Sequence, residues 1–475
     1  MIKEKFFRYI FFLVFSIYLL FNINFLIKDN YFFIALPFLI ILTFISIIRL
    51  DLLILIISFF TPLSVSLKEI GFFTSLGIDM AIPTEPILFI LLFIIFLKMI
   101  DNYLEFQILF SHNITKLIVV YLIWIFITSI KSSIPVISFK VLITRLWYIL
   151  TFYVLASQIF KKQFYRLLFI KSYIIGLLIV CLFTLYNHYH YNFSQESAHW
   201  VMSPFFKDHT SYGMSLALFL PLTFYIFYYE KKLINRVFYG IILFIFIISF
   251  ILSYTRAAWI SIFMSLIFYS VVKLKIKFKY ISVFTLVIFL FGYVFSENIL
   301  KFLENNTQDS SDSFLMHIKS ISNITSDASN LERINRWKSA IKLFLERPHF
   351  GWGIGTYQFN YSSYQNFYDK TIISTNFGDK GNAHSEYLSI LSETGWFGLF
   401  SFLILLIHIF YSSINLISGL NLKKEKDFIL SIFLSLITFF IHSFLNNFLD
   451  MDKASVPIWA LISMVVMIDK KKIKI

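Results

Sequence analysis

The sequence predicts an all-α fold, a polytopic transmembrane helical bundle of about 12–14 spans carrying one large polar loop on its outer face. Three observations predict it. The 475 residues are 58% hydrophobic and only 14% charged, well below the roughly one-quarter charge that covers the surface of a soluble domain. Apolar runs of about 18 residues, enough to cross a bilayer core, recur along the chain. Lys and Arg gather in alternate connections between those runs, as topology determinants do.

The predicted spans lie near 8–27, 31–48, 51–66, 82–100, 117–130, 143–160, 167–187, 212–229, 234–253, 257–273, 280–297, 387–418, 427–446 and 454–469. The third and fifth are short. The segment 67–84, with Gly71, Gly77 and Pro83, suits a re-entrant or interfacial piece. The basic, then apolar N-terminus lacks a small-residue cleavage site and reads as a retained first span. This divides the chain into an N-terminal bundle over 1–297 (about eleven spans), a large loop over 298–385, and a C-terminal bundle over 386–475 (about three spans).

With the N-terminus in the cytoplasm, the inner connections carry Arg49, Lys98 with Lys116, Lys161–Lys162–Arg166, Lys231–Lys232–Arg236, Lys273 to Lys279, and Lys423–Lys424–Lys426. The tail adds Lys470, Lys471, Lys472 and Lys474, so both termini are expected in the cytoplasm. The net charge of +14 is therefore read as topology and not as a nucleic-acid footprint. The single cysteine, Cys181, sits in an apolar run and allows no intrachain disulfide.

Three polar elements then share the outer face: the connection 188–211, the corner Ser253-Tyr254-Thr255-Arg256, and the long loop. The loop opens with a Ser/Asn/Asp-rich stretch, 304–330. Apolar residues at helical spacing (Ile334, Trp337, Ile341, Phe344, Leu345) follow, with Asn330 as N-cap and Pro348 as the stop. This predicts an amphipathic helix on which Arg333 and Arg336 are neighbours. Next comes Pro348-His349-Phe350-Gly351-Trp352-Gly353-Ile354-Gly355. It lacks the strand–turn–helix setting of a dinucleotide or P-loop motif and suits a tight turn, with direct phosphate contact as the lesser reading. No cofactor motif is present.

Several residues could carry chemistry. Arg256, at the outer end of a span, is either an interfacial arginine or a fork for a lipid-linked phosphate. His384, at the mouth of a span, is either structural or a general base, and Glu386 could orient it. His188-x-His190 lacks the cysteine or carboxylate that would complete a metal set. Asp450-Met451-Asp452 has the spacing of a cation-binding pair, or supplies helix-end charges. The expected site holds no metal.

The run Ser253-Tyr254-Thr255-Arg256-Ala257-Ala258-Trp259 resembles the Ser/Thr-Arg-small-small corner of the O-antigen ligase and O-antigen polymerase superfamily. Arg333-x-x-x-Trp337 followed by Glu346-Arg347-Pro348-x-Phe350-Gly351-x-Gly353-x-Gly355 is similar to that family's loop signature, and His384-Ser385, nine residues, then Gly395-x-x-Gly398 matches its ligase pattern. The resemblance covers roughly 200–450 and implies a GT-C-like glycosyltransferase at the periplasmic face of the bacterial inner membrane. It implies a glycan donor on undecaprenyl pyrophosphate, a lipid A-core sugar as acceptor, no cofactor, surrounding membrane lipids and no nucleic acid. Carried onto this chain, Arg256 and either Arg333 or Arg336 would bind the pyrophosphate and His384 would activate the acceptor hydroxyl. A polymerase or protein O-glycan ligase keeps the same chemistry with another acceptor. A flippase fits the number of spans but has little need of the loop, and the sequence shows no matching halves.

Overall fold

The computed structural model describes residues 49–67, 80–100, 109–274, 328–365 and 381–473, with Glu69 and a few positions between 16 and 23. Among these the protein is helical apart from one two-residue antiparallel pair, β1 (Val65–Ser66) with β2 (Ala81–Ile82). The helices are α1 (Leu50–Phe60), α2 (Thr84–Ile100), α3 (Asn113–Ile130), α4 (Pro135–Phe160), α5 (Gln163–Tyr189), α6 (His209–Tyr229), α7 (Leu233–Leu252), α8 (Arg256–Lys273), α9 (Ala328–Glu346), α10 (Glu386–Gly419), α11 (Lys423–His442) and α12 (Asp452–Ile473).

Seven of them, α3 to α8 and α10, are long and apolar enough to cross a membrane. Their outer faces need lipid: Ile234 is 82% exposed and Phe164 67%, more apolar surface than a soluble fold presents in one belt. The fold is an all-α polytopic bundle. Eleven of the fourteen predicted spans fall on described residues and each overlaps a helix. The other three, 8–27, 31–48 and 280–297, lie wholly or largely outside them. The third span needs correction, because α1 has 11 residues and gives way to a turn and β1. At 1.5 Å per residue it reaches about half of a bilayer core.

α12 is the central element. From Ala454 to Met467 it is almost wholly buried, packed on α4, α10 and α11. α4 carries a π-helical stretch, Ile149–Leu155, where it packs on α12. Chain alternation sorts the connections into two ends. One end gathers 131–134, 190–208, 253–255, the loop before α10, and 443–451. The other gathers Lys161–Lys162, Lys231–Lys232, Leu420–Leu422 and the end of α12.

α9 begins at Ala328, so Asn330 lies within the helix and not at its N-cap as the sequence suggests; Pro348 follows its end. Beyond it the glycine turn folds onto α10. The Gly351 amide donates to Arg347 O (3.0 Å), and Trp352 and Gly353 amides donate to Ser392 O (3.1 Å) and Glu393 O (2.8 Å). The facing part of α10 is broken at Gly395, whose φ of 73° lies in the left-handed region. A Cβ at Gly395 would strike the His349 carbonyl, and one at Gly351 the Glu393 carbonyl. Each glycine is demanded by the backbone of the segment facing it.

Candidate functional site

Arg256 and Arg333, singled out in the sequence, act electrostatically on one group of histidines at the loop end of the bundle, His384 among them. α8 starts at Arg256, and the corner before it is fixed by Thr255 Oγ1 donating to His209 O (2.8 Å). His209 opens α6, capped by Asp208, whose Oδ1 accepts from the Ser211 amide (2.8 Å) and Thr210 Oγ1 (2.7 Å). Burial pushes the Asp208 carboxyl up, but these hydrogen bonds and His209 leave it below its ordinary value. The charges of Arg333 and Arg256 both act on the His209 ring. Arg333 also acts on His384 and His442. Five chain segments distant in sequence thus share one electrostatic environment.

His384 is held at a φ of 48°, uncommon for a residue with a side chain. Its amide donates to Asn382 Oδ1 (3.0 Å), and its carbonyl accepts from Trp337 Nε1 (3.3 Å). Ser385 then caps α10, its Oγ accepting from the Leu388 amide (3.4 Å). Burial lowers the His384 imidazole to about 4, with repulsion by Arg336 and Arg333 adding to it; Asn446 and Glu332 pull the other way. At neutral pH the ring is therefore uncharged, as a general base must be.

Arg333 and Arg336 differ in their surroundings. Arg336 is buried; its Nε donates to Glu332 Oε1 (2.6 Å) and its Nη1 to Asn382 O (2.9 Å), with the guanidinium 5.2 Å from the Tyr361 ring centre. It is a strut between α9 and the segment that carries His384.

Glu386 does not face the His384 ring. It is buried and accepts from Arg145 Nη2 (3.2 Å) and the amides of Phe448 and Leu449 (3.2 and 3.4 Å). Asp450 and Asp452 do not converge. Asp450 pairs with Arg145 Nε (3.1 Å), whereas buried Asp452 accepts from Ser64 and Thr84 hydroxyls near β1 and β2. His188 Nε2 is bonded to Ser194 O (2.8 Å) while His190 lies outward beside Tyr186. The glycine turn contacts Ser132, Ser138 and Val141 as well as α10, the arrangement of a packed turn.

Other groups at this end carry no local sequence signal. His442 falls inside a predicted span, yet it is 0% exposed and neither ring nitrogen has a hydrogen-bond partner among the described residues. His209 Nδ1, His384 Nδ1 and Asn446 Nδ2 are likewise buried without partners among the described residues. Arg145 and Glu393, both buried, belong to no motif. Only the packing of α4, α10 and α11 reveals them.

A chain of apolar membrane helices, with arginines and histidines gathered at its loop end, defines an integral membrane protein. The sequence model of the family described as O-Antigen ligase matches residues 241–403, from α7 through the loop to α10. That match supports a place for residues 241–403 in the O-antigen ligase-like superfamily. No curated protein matches the chain.

Proposed function

We propose that this protein is a multi-pass inner-membrane glycosyltransferase acting at the periplasmic face, passing a glycan from undecaprenyl pyrophosphate to a lipid A-core sugar hydroxyl. Both termini then lie in the cytoplasm. What supports this reading above all is the convergence of Arg256 and Arg333 on His209, with Arg333 also acting on His384. Arg333, whose charge bears on both His209 and the uncharged His384 imidazole, links the arginines to the base in a reaction that must bind a diphosphate and remove one proton.

In that reaction His384 takes the proton of the acceptor hydroxyl. The oxygen attacks the anomeric carbon, the bond from that carbon to the pyrophosphate oxygen breaks, and undecaprenyl pyrophosphate leaves. Attack opposite the leaving group inverts the anomeric centre. Arg256 and Arg333 neutralise the charge that grows on the leaving oxygen, the kind of preorganised stabilisation that carries most of such catalysis. Arg333 is preferred to Arg336 because its charge acts on His209, His384 and His442 alike. The site needs no divalent ion on this reading, since the arginines supply the positive charge.

A polymerase would use the same groups and pass the glycan to a second lipid-linked repeat. The His384-Ser385 and Gly395-x-x-Gly398 spacing favours the ligase. The test is transfer by purified protein from an undecaprenyl-pyrophosphate oligosaccharide to lipid A-core and, separately, to a second lipid-linked repeat, each with and without EDTA. H384A is expected to lose transfer while keeping its melting temperature. Transfer by H384A at the wild-type rate, or loss of wild-type transfer in EDTA, would refute the mechanism.

A further inference from the structure

The segment bearing His384 is held in place from a part of the chain outside the family match. Arg145 lies on α4, far from residues 241–403 in sequence, and is buried. Its guanidinium makes three directed hydrogen bonds: Nη1 to Tyr121 Oη on α3 (2.7 Å), Nη2 to Glu386 Oε1 (3.2 Å) and Nε to Asp450 Oδ1 (3.1 Å). Glu386 is two residues after His384. Its other oxygen accepts from the Phe448 and Leu449 amides, and its own amide donates to Ser443 O (2.9 Å). The Ser385 amide donates to Asn447 Oδ1 (3.0 Å). One side chain thus ties α3, residues 384–386 and the connection 443–450 together. The last two are the segments that carry or adjoin His384, His442 and Asn446.

We propose that Arg145 is a positioning residue for His384: its fork, acting through Glu386 and Asp450, sets the backbone that presents the imidazole. The proposal rests on the reading of His384 as the base. Two physical points support it. A buried ion pair is a poor stabiliser, because well-packed apolar side chains of the same size do as well or better. And a left-handed, non-glycine conformation such as that of His384 persists only where its surroundings over-determine it. The network supplies that constraint one and two residues away. Arginine is required because lysine has no planar fork to meet three acceptors at fixed angles.

The test uses the full-length protein in the same transfer assay. Arg145→Lys keeps the charge and loses the fork. It is expected to lower kcat by about 100-fold, the effect of displacing a catalytic group by about 1 Å, with the donor KM within about two-fold. Placed in the H384A background, measured by long single-turnover incubation, it should lower the residual rate no further. The double variant R145M/E386Q neutralises both partners at similar volume; it should keep the melting temperature and still lose rate. Wild-type kcat in either folded variant overturns the proposal. So does an equal loss on R145K with and without His384, or failure of both variants to fold, since Arg145 then acts on the fold alone. Full transfer by H384A is a different failure: it removes the assignment of His384, and the role of Arg145 falls with it.

Discussion

The glycine seam and the polar cluster both stand at the loop end, and they are built on opposite terms. In the seam, residues 351–355 lie on α10 around Gly395, backbone against backbone, with the amides of Trp352, Gly353 and Trp396 each bonded across it. Glu393 belongs to the seam, its Oε1 accepting from the Tyr357 amide (3.0 Å). A few residues away, the cluster leaves imidazole nitrogens of His209, His384 and His442 buried without hydrogen bonds among the described residues. Buried polar atoms are normally satisfied, and those that are not mark places where something other than stability has been selected. The motif with the densest glycine content is thus scaffold, and the proposed chemistry falls to the arginines and histidines of the cluster.

The sharpest way to break this contrast is to put side chains into the seam. Gly395→Val should be the most damaging single change. The left-handed φ alone costs a β-branched residue about 1–3 kcal/mol, and the clash with the His349 carbonyl adds to it. The expected outcome is little folded protein by fluorescence-detected size exclusion. A normal yield and melting temperature would show that the seam is not scaffold.

The two loop arginines sharpen the comparison on a single helix. Arg336→Ala breaks its buried ion pair with Glu332, and removing one partner of a buried pair costs about 3–5 kcal/mol, so a clear fall in melting temperature is expected. Arg333→Ala should leave the melting temperature within a few degrees and abolish binding of undecaprenyl pyrophosphate, measured by native mass spectrometry. The reverse pattern would exchange their roles.

Much of this is legible in the sequence, for a plain reason. Hydropathy and charge alternation depend on lipid contact, which each segment makes by itself, so the helices from α3 to α12 can be placed from local pattern. So can Arg256, Arg333 and His384, which sit beside motif residues at helix ends. The length of α1 is not legible, because its apolar run continues past Phe60 into a turn. What stays hidden is tertiary. Nothing local distinguishes Arg145 from a snorkelling arginine until Glu386 and Asp450 are folded against it. Likewise His442 reads as one more residue in a span until the cluster forms around it. The partition of Arg333 and Arg336 needs Glu332 and Asn382, one of them 46 residues from Arg336.

The finest test concerns pH, because it compares His384 with an ordinary histidine. A general base works in its unprotonated form, so the transfer rate is lost as pH falls through the pKa of the folded site. Burial and the arginines hold His384 at about 4, against 6.5 for the free side chain. The rate should therefore stay level from pH 8 to about pH 5 and fall only near pH 4. Arg333→Lys preserves the charge and should leave the limb in place. Arg336→Gln removes one of the two repelling charges and should raise the midpoint towards the free value, by a fraction of a unit for a charge partly screened by Glu332. The measurement is kcat against pH in detergent, with circular dichroism at each point to separate titration from unfolding. A wild-type midpoint near 6.5 would mean that the ring is hydrated in the working enzyme, and that the dry, arginine-lined setting which distinguishes the cluster from the seam is lost when substrate enters.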